Sequence, residues 1–115
     1  MDERLEKALD FSNYMISLNN SKKVLEENFY QDIVYYYNGA QFTINKELIC
    51  FCSFLNQREQ DSIVLVDDNN RPIEIADLAE FEAEILDLYM TASNNYLSKY
   101  NALIRNRTIE KMVEL

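Results

Sequence analysis

Beyond Pro72 the chain contains neither glycine nor proline, and apolar residues recur at Leu78, Phe81, Ile85, Leu88, Ala92, Tyr96, Tyr100 and Leu103. Steps of three and four residues over that distance trace one stripe of an α-helix. Asp77 is a good N-cap, and Glu80 three residues on completes a capping-box pattern. Asp77, Glu80, Glu82, Glu84 and Asp87 come early, whereas Lys99, Arg105, Arg107 and Lys111 come late, an order that favours the helix dipole at both ends. The pattern predicts one long helix from Asp77 to Leu115. A lone helix of that length leaves its stripe wet, so the rest of the chain, or another chain, must cover it.

The first segment, Asp2 to about Tyr36, carries a second stripe at Ala8, Phe11, Met15, Leu18, Lys22, Leu25, Phe29, Ile33 and Tyr36. Alternating steps of three and four are those of a coiled-coil seam, with the stem of Lys22 snorkelling at its position. Asn19-Asn20-Ser21 disfavours a helix interior, so a kink or a fresh N-cap there is the alternative to a continuous helix. Tyr35-Tyr36-Tyr37 precedes Asn38-Gly39, where the only glycine takes a positive φ or caps the first helix. The three tyrosines supply either core positions with wet hydroxyls between them or a binding face.

Between the two long segments lie shorter elements. Gln41 to Ile44 alternates as a strand does, and Asn45 caps a helix from Lys46 to about Gln57. Its interior, Leu48 to Leu55, is apolar nearly all round, which predicts the most enclosed element. Ser62 to Val66 is β-branched and reads as a strand, Asp67 to Arg71 as a turn, and Pro72 to Ile75 as a second strand of a hairpin. Two strands alone are marginal, so the hairpin packs on helices, with Phe42 to Ile44 available as a third strand. The expected fold is a single mostly α domain (α+β) over 1–115. It comprises a long antiparallel helical hairpin, a short buried helix and a β-hairpin at one end. Either stripe zipping with another copy of the chain is the alternative arrangement.

One Gly and one Pro are too few for a turn-rich β-sandwich. The net charge of −9 opposes direct contact with nucleic acid or an anionic membrane. No basic, apolar leader follows Met1, and no run approaches the ~18 apolar residues of a membrane span. The expected setting is therefore cytoplasmic, with Cys50 and Cys52 reduced and buried. Their spacing suits neither a zinc site nor a redox pair.

There is no histidine, which removes the usual nucleophile–base sets and the commonest metal ligand, and one glycine cannot build a phosphate loop. No cofactor, catalytic residue or metal ligand is expected. Asp67-Asp68-Asn69-Asn70 lacks the glycine and closing glutamate of a calcium loop and reads as a turn. What remains is polarity. Glu59 to Asp87 holds ten acids and one base, Arg71. Asp67, Asp68, Glu74, Glu80, Glu84 and Asp87 are its candidate protein-interaction residues, facing either solvent or a basic partner.

Tyr37-Asn38-Gly39 with Phe42-x-Ile44, then Leu65-x-Asp67-x-Asn69 and Pro72-Ile73-x-Ile75-x-Asp77-Leu78-x-x-Phe81-x-x-Glu84-Ile85, resembles small uncharacterised proteins of T-even-like tailed phages that infect marine cyanobacteria. The Asn- and Tyr-rich, Gly-poor composition is similar to that of AT-rich phage genomes. The resemblance implies a viral protein acting in the infected cell or in particle assembly, and carries no catalytic or binding residue with it. Together these features predict a non-enzymatic interaction or assembly protein, acting as a helical homo-oligomer or as an accessory subunit of a larger complex. The alternative is an acidic inhibitor or nucleic-acid mimic that occupies a basic groove on a host protein.

Overall fold

The computed structural model describes residues 2–114, and the side chains of residues 2–109. Lys111 therefore lies outside the described side chains. The chain runs α1 (Glu3–Asp32), β1 (Val34–Tyr37), β2 (Ala40–Thr43), α2 (Lys46–Gln57), β3 (Ile63–Val66), β4 (Pro72–Ile75) and α3 (Leu78–Glu114). It is 69% helical, with two antiparallel β-hairpins, so the expected mostly α, α+β class with two long helices holds. Its contacts form two compact units, Phe29–Asn94 and Met1–Asn28 with Asn95–Leu115.

In the unit of residues 29–94, the stripe read from the sequence is the core. Leu78, Phe81, Ile85 and Ala92 are buried, together with Ala40, Phe42, Ile44, Cys52 and Ile75. Phe81 lies at its centre. The rings of Tyr35, Tyr37 and Phe42 meet it edge-on at 5.7, 5.6 and 5.6 Å between centroids. Edge-to-face contacts of this kind add about 0.5–1.5 kcal/mol each beyond the area they bury. Phe29 makes a similar contact with Tyr89 at 6.0 Å.

Two local readings need correction. The first helix stops at Asp32, and Val34–Tyr37 is a strand paired with Ala40–Thr43 in the register Val34↔Thr43, Tyr35↔Phe42, Tyr36↔Gln41 and Tyr37↔Ala40. Asn38 (φ 47°) and Gly39 (φ 81°) form the turn, the Asn-Gly pairing that two-residue hairpin loops prefer. Phe42 therefore belongs to this hairpin and adds no third strand to the other. Strand alternation also sorts the tyrosines: Tyr35 and Tyr37 turn inward, while Tyr36 is 70% exposed. β3 and β4 pair separately, with Ile63↔Ile75 and Leu65↔Ile73 facing the core and Val64↔Glu74 facing out.

The second correction concerns α2. Asn45 caps it, its side chain accepting from the Leu48 amide at 2.7 Å. Yet only one face is covered, by Leu48, Ile49, Cys52 and Leu55, while Cys50, Phe51 and Phe54 are exposed. A single layer against a 12-residue helix has room for one stripe, so an all-round apolar sequence leaves apolar side chains wet.

In the other unit, α1 and α3 run antiparallel. The Lys22 ammonium lies 5.6 Å from the Tyr100 ring centre, and Arg107 Nη2 donates to Ser17 Oγ at 2.7 Å and Ser21 Oγ at 3.3 Å. Rising numbers on α1 thus meet falling numbers on α3. Lys22, out of pattern in the seam, is placed by this cation–π contact. The helix is unbroken through Asn19-Asn20-Ser21, where Ser21 Oγ donates back to the Ser17 carbonyl at 3.0 Å. Leu18 is the buried hydrophobic residue of this unit among the described side chains.

α2 ends in a left-handed cap on a residue that tolerates it poorly. Glu59 has φ 61°, with its amide donating to the Asn56 carbonyl and the Gln60 amide to the Leu55 carbonyl, both at 3.0 Å. That is the Schellman pattern, in which glycine avoids the Cβ penalty. Glu59→Gly is expected to stabilise the protein by about 1 kcal/mol, read from the urea-denaturation midpoint. A loss of stability would contradict the strained cap.

Candidate functional site

The six candidate carboxylates do not form one surface. Asp67 is buried, and its side chain organises the turn between β3 and β4. Oδ1 accepts from the amides of Arg71 at 2.8 Å and Asn69 at 3.0 Å, and Oδ2 from Arg71 Nε and Nη2 at 3.2 and 3.0 Å. The Arg71 amide, then its guanidinium, and the Asn69 amide hold the Asp67 carboxyl below its ordinary pKa, against the opposing effect of burial.

Asp68 is also occupied. It accepts from the Thr43 amide at 3.1 Å, Thr43 Oγ1 at 2.7 Å and Gln41 Nε2 at 3.2 Å, while its own amide donates to the Gln41 carbonyl at 2.8 Å. Arg71 Nη2 donates to the Gly39 carbonyl at 3.1 Å. The acidic turn is therefore a clasp that ties the second hairpin to the open edge of the first. A sheet edge presents unpaired amides and carbonyls, and Asp68 supplies what a further strand would.

Glu74 stands on the outer face of β4 opposite Val64. Glu80, Glu84 and Asp87 are exposed on α3 at spacings of four and three, so these three share one face. Glu84 accepts a hydrogen bond from the Tyr35 hydroxyl. Asp77, which the candidate set omits, caps α3 by accepting from the Glu80 amide at 3.1 Å.

Two shallow concavities border these groups. One of about 240 Å³ is lined by Tyr35, Tyr36, Tyr37, Asn38, Asp77, Glu80, Phe81 and Glu84. Another, of about 720 Å³, is lined by Asn56, Glu59, Gln60, Asp61, Ala76, Asp77 and Ala79. Neither holds a nucleophile with a base beside it. Among the described residues, no three His, Cys, Asp or Glu side chains converge to hold a metal ion.

The expectation that both cysteines are buried holds for Cys52 alone. Burial, with the nearby charge of Glu82, pushes the Cys52 thiol up to about 11, so at neutral pH it stays a protonated core group. Glu82 itself accepts from the Asn56 side chain, joining α3 to α2.

What the sequence does not display is Arg71. A single base among ten acids looks incidental, yet it pairs with one carboxylate and bridges two hairpins. The available signal is its place four residues after Asp67 across a tight turn.

No family model, curated protein or solved structure matches this chain. Its class is thus the one its own fold defines, a mostly helical α+β protein with two small hairpins. Among the described residues, no helix is long and apolar enough to cross a membrane.

The depressed Asp67 carboxyl gives a pH signature. Its stabilising effect is full above the unfolded carboxyl value of about 3.9 and disappears as pH falls through the lower folded value. In urea denaturation, wild type is expected to exceed Asp67→Asn in stability at pH 7, and the gap to close below about pH 4. A gap independent of pH would contradict the charged clasp.

Proposed function

We propose that this chain is a non-enzymatic interaction and assembly protein, working as a helical oligomer or as an accessory subunit of a larger complex. The phage resemblance sets that role in an infected cell or a particle. The observation that carries the reading is the apolar surface of α1. Leu5, Leu9 and Ile16 are 51%, 45% and 57% exposed within the first half of the helix. Exposed apolar side chains grouped on one element are a feature of surfaces that bind protein.

Charge supports the same surface. The unit of residues 1–28 and 95–115 has eight acidic and eight basic side chains, whereas residues 29–94 have twelve and three. All of the net charge lies in the unit with the better-filled core. Both units expose apolar side chains, Phe51, Phe54 and Val64 among those of residues 29–94. The unit that holds the exposed face of α1 is neutral, however, so association through it meets no net repulsion.

The acidic-mimic reading has weaker support. A carboxylate row imitating phosphates needs free carboxylates, and Asp67 and Asp68 are engaged within the fold while Glu74 lies on a different element from Glu80, Glu84 and Asp87.

Sedimentation equilibrium of the pure chain tests the assembly reading. The expected result is a concentration-dependent mass rising above the 13.6 kDa of one chain. A strictly monomeric species at all concentrations, with no partner retained, would contradict it.

A further inference from the structure

We propose that a second copy of this chain docks antiparallel along the outer face of α1, on the row formed by Leu5, Leu9, Ser12 and Ile16. The proposal rests on the assembly reading above and specifies its surface, occupant and polarity.

α1 carries two heptad rows. The inner row is covered within its unit over its later part, Leu18 buried, Lys22 over the Tyr100 ring and Leu25 half-buried, while Phe11 and Met15 before them are exposed. The outer row steps by four, three and four through Leu5, Leu9, Ser12 and Ile16. It lies about 150° round the helix from Leu18 and extends about 16 Å along it. Its three apolar members are about half exposed. A helix with two such rows suits a bundle of more than two helices, and a single hairpin covers only part of one of them.

The charges select the occupant and its direction. Residues 2–10 carry four acids, Asp2, Glu3, Glu6 and Asp10, against Arg4 and Lys7. Between residues 11 and 23 the only charged groups are Lys22 and Lys23. Lys22 is taken up on the inner row, but Asp2 and Lys23 continue the outer row at its two ends. An antiparallel copy sets Asp2 of each α1 beside Lys23 of the other, whereas a parallel copy sets Asp2 against Asp2 and Lys23 against Lys23. With Leu9 next to Ile16 of the copy, Ser12 falls near the two-fold axis, where a small residue lets the backbones approach. The contact is isologous and closes at two chains.

Two measurements on the full chain test this. In sedimentation equilibrium, Leu9→Glu and Ile16→Glu are each expected to weaken dimerisation at least about 100-fold, because each buries an unpaired charge. Both positions are exposed in the single chain, so the circular dichroism of wild type is retained; Val64→Glu, on the outer hairpin face, leaves the dimer intact. In a Cys50→Ser background, Ser12→Cys is expected to oxidise rapidly to a disulfide-linked dimer and Arg4→Cys not to.

A dimer that survives both glutamate variants would overturn this surface while leaving the assembly reading standing. Equally fast cross-linking at Arg4→Cys would overturn the antiparallel direction. A wild-type chain that stays monomeric would overturn this surface, and would overturn the assembly reading as well where no partner is retained.

Discussion

The packing of Phe81 against three aromatic rings is the contact on which residues 29–94 depend. Each β-hairpin has only two strands and would be marginal in water. Phe81 enters from α3 and meets Tyr35 and Tyr37 of β1 and Phe42 of β2. Ile75 of β4 and Leu78 at the start of α3 are fully enclosed in the same cluster. The Asp67–Arg71 clasp then joins the hairpins from the other direction, through Asp68 to Thr43 and Arg71 to Gly39. Apolar burial supplies the bulk of the stabilisation, and the clasp fixes the register in which the two hairpins meet.

This division explains why an acidic stretch can be both conspicuous and partly structural. Asp67 and Asp68 are adjacent and chemically identical, yet the first closes its own turn and the second serves a neighbouring strand. The acids left on the surface, Glu74, Glu80, Glu84 and Asp87, keep residues 29–94 strongly negative. The helical unit of residues 1–28 and 95–115 has balanced charge and exposed apolar rows, and the proposed association is assigned to it.

Much of the fold was legible because it follows from local rules. The α3 stripe, the Asn45 cap, the Asp67–Arg71 turn and Pro72 at the head of a strand each need only neighbouring residues. The first hairpin was hidden because Phe29, Ile33 and Tyr36 continue the helical spacing of α1 into a stretch that Asn38-Gly39 turns into strand. Period alone gives no weight to that turn, whose two positive φ angles decide the outcome. The exposure of Phe51 and Phe54 was equally hidden, since composition does not say how many layers cover a helix. For the candidate site, the sequence shows charge and tertiary contacts decide its availability; the roles of Asp68 and Arg71 depend on residues about thirty positions away.

The most direct measurement of the central contact is amide hydrogen exchange on Phe81→Ala beside wild type. A fully enclosed phenyl ring removed from between two hairpins costs about 3–5 kcal/mol. The expected result is that amides of Tyr35 to Thr43 and of Ile63 to Ile75 lose protection together and by a similar factor. If either hairpin keeps wild-type protection, the two do not share one aromatic anchor, and the account of this core is wrong.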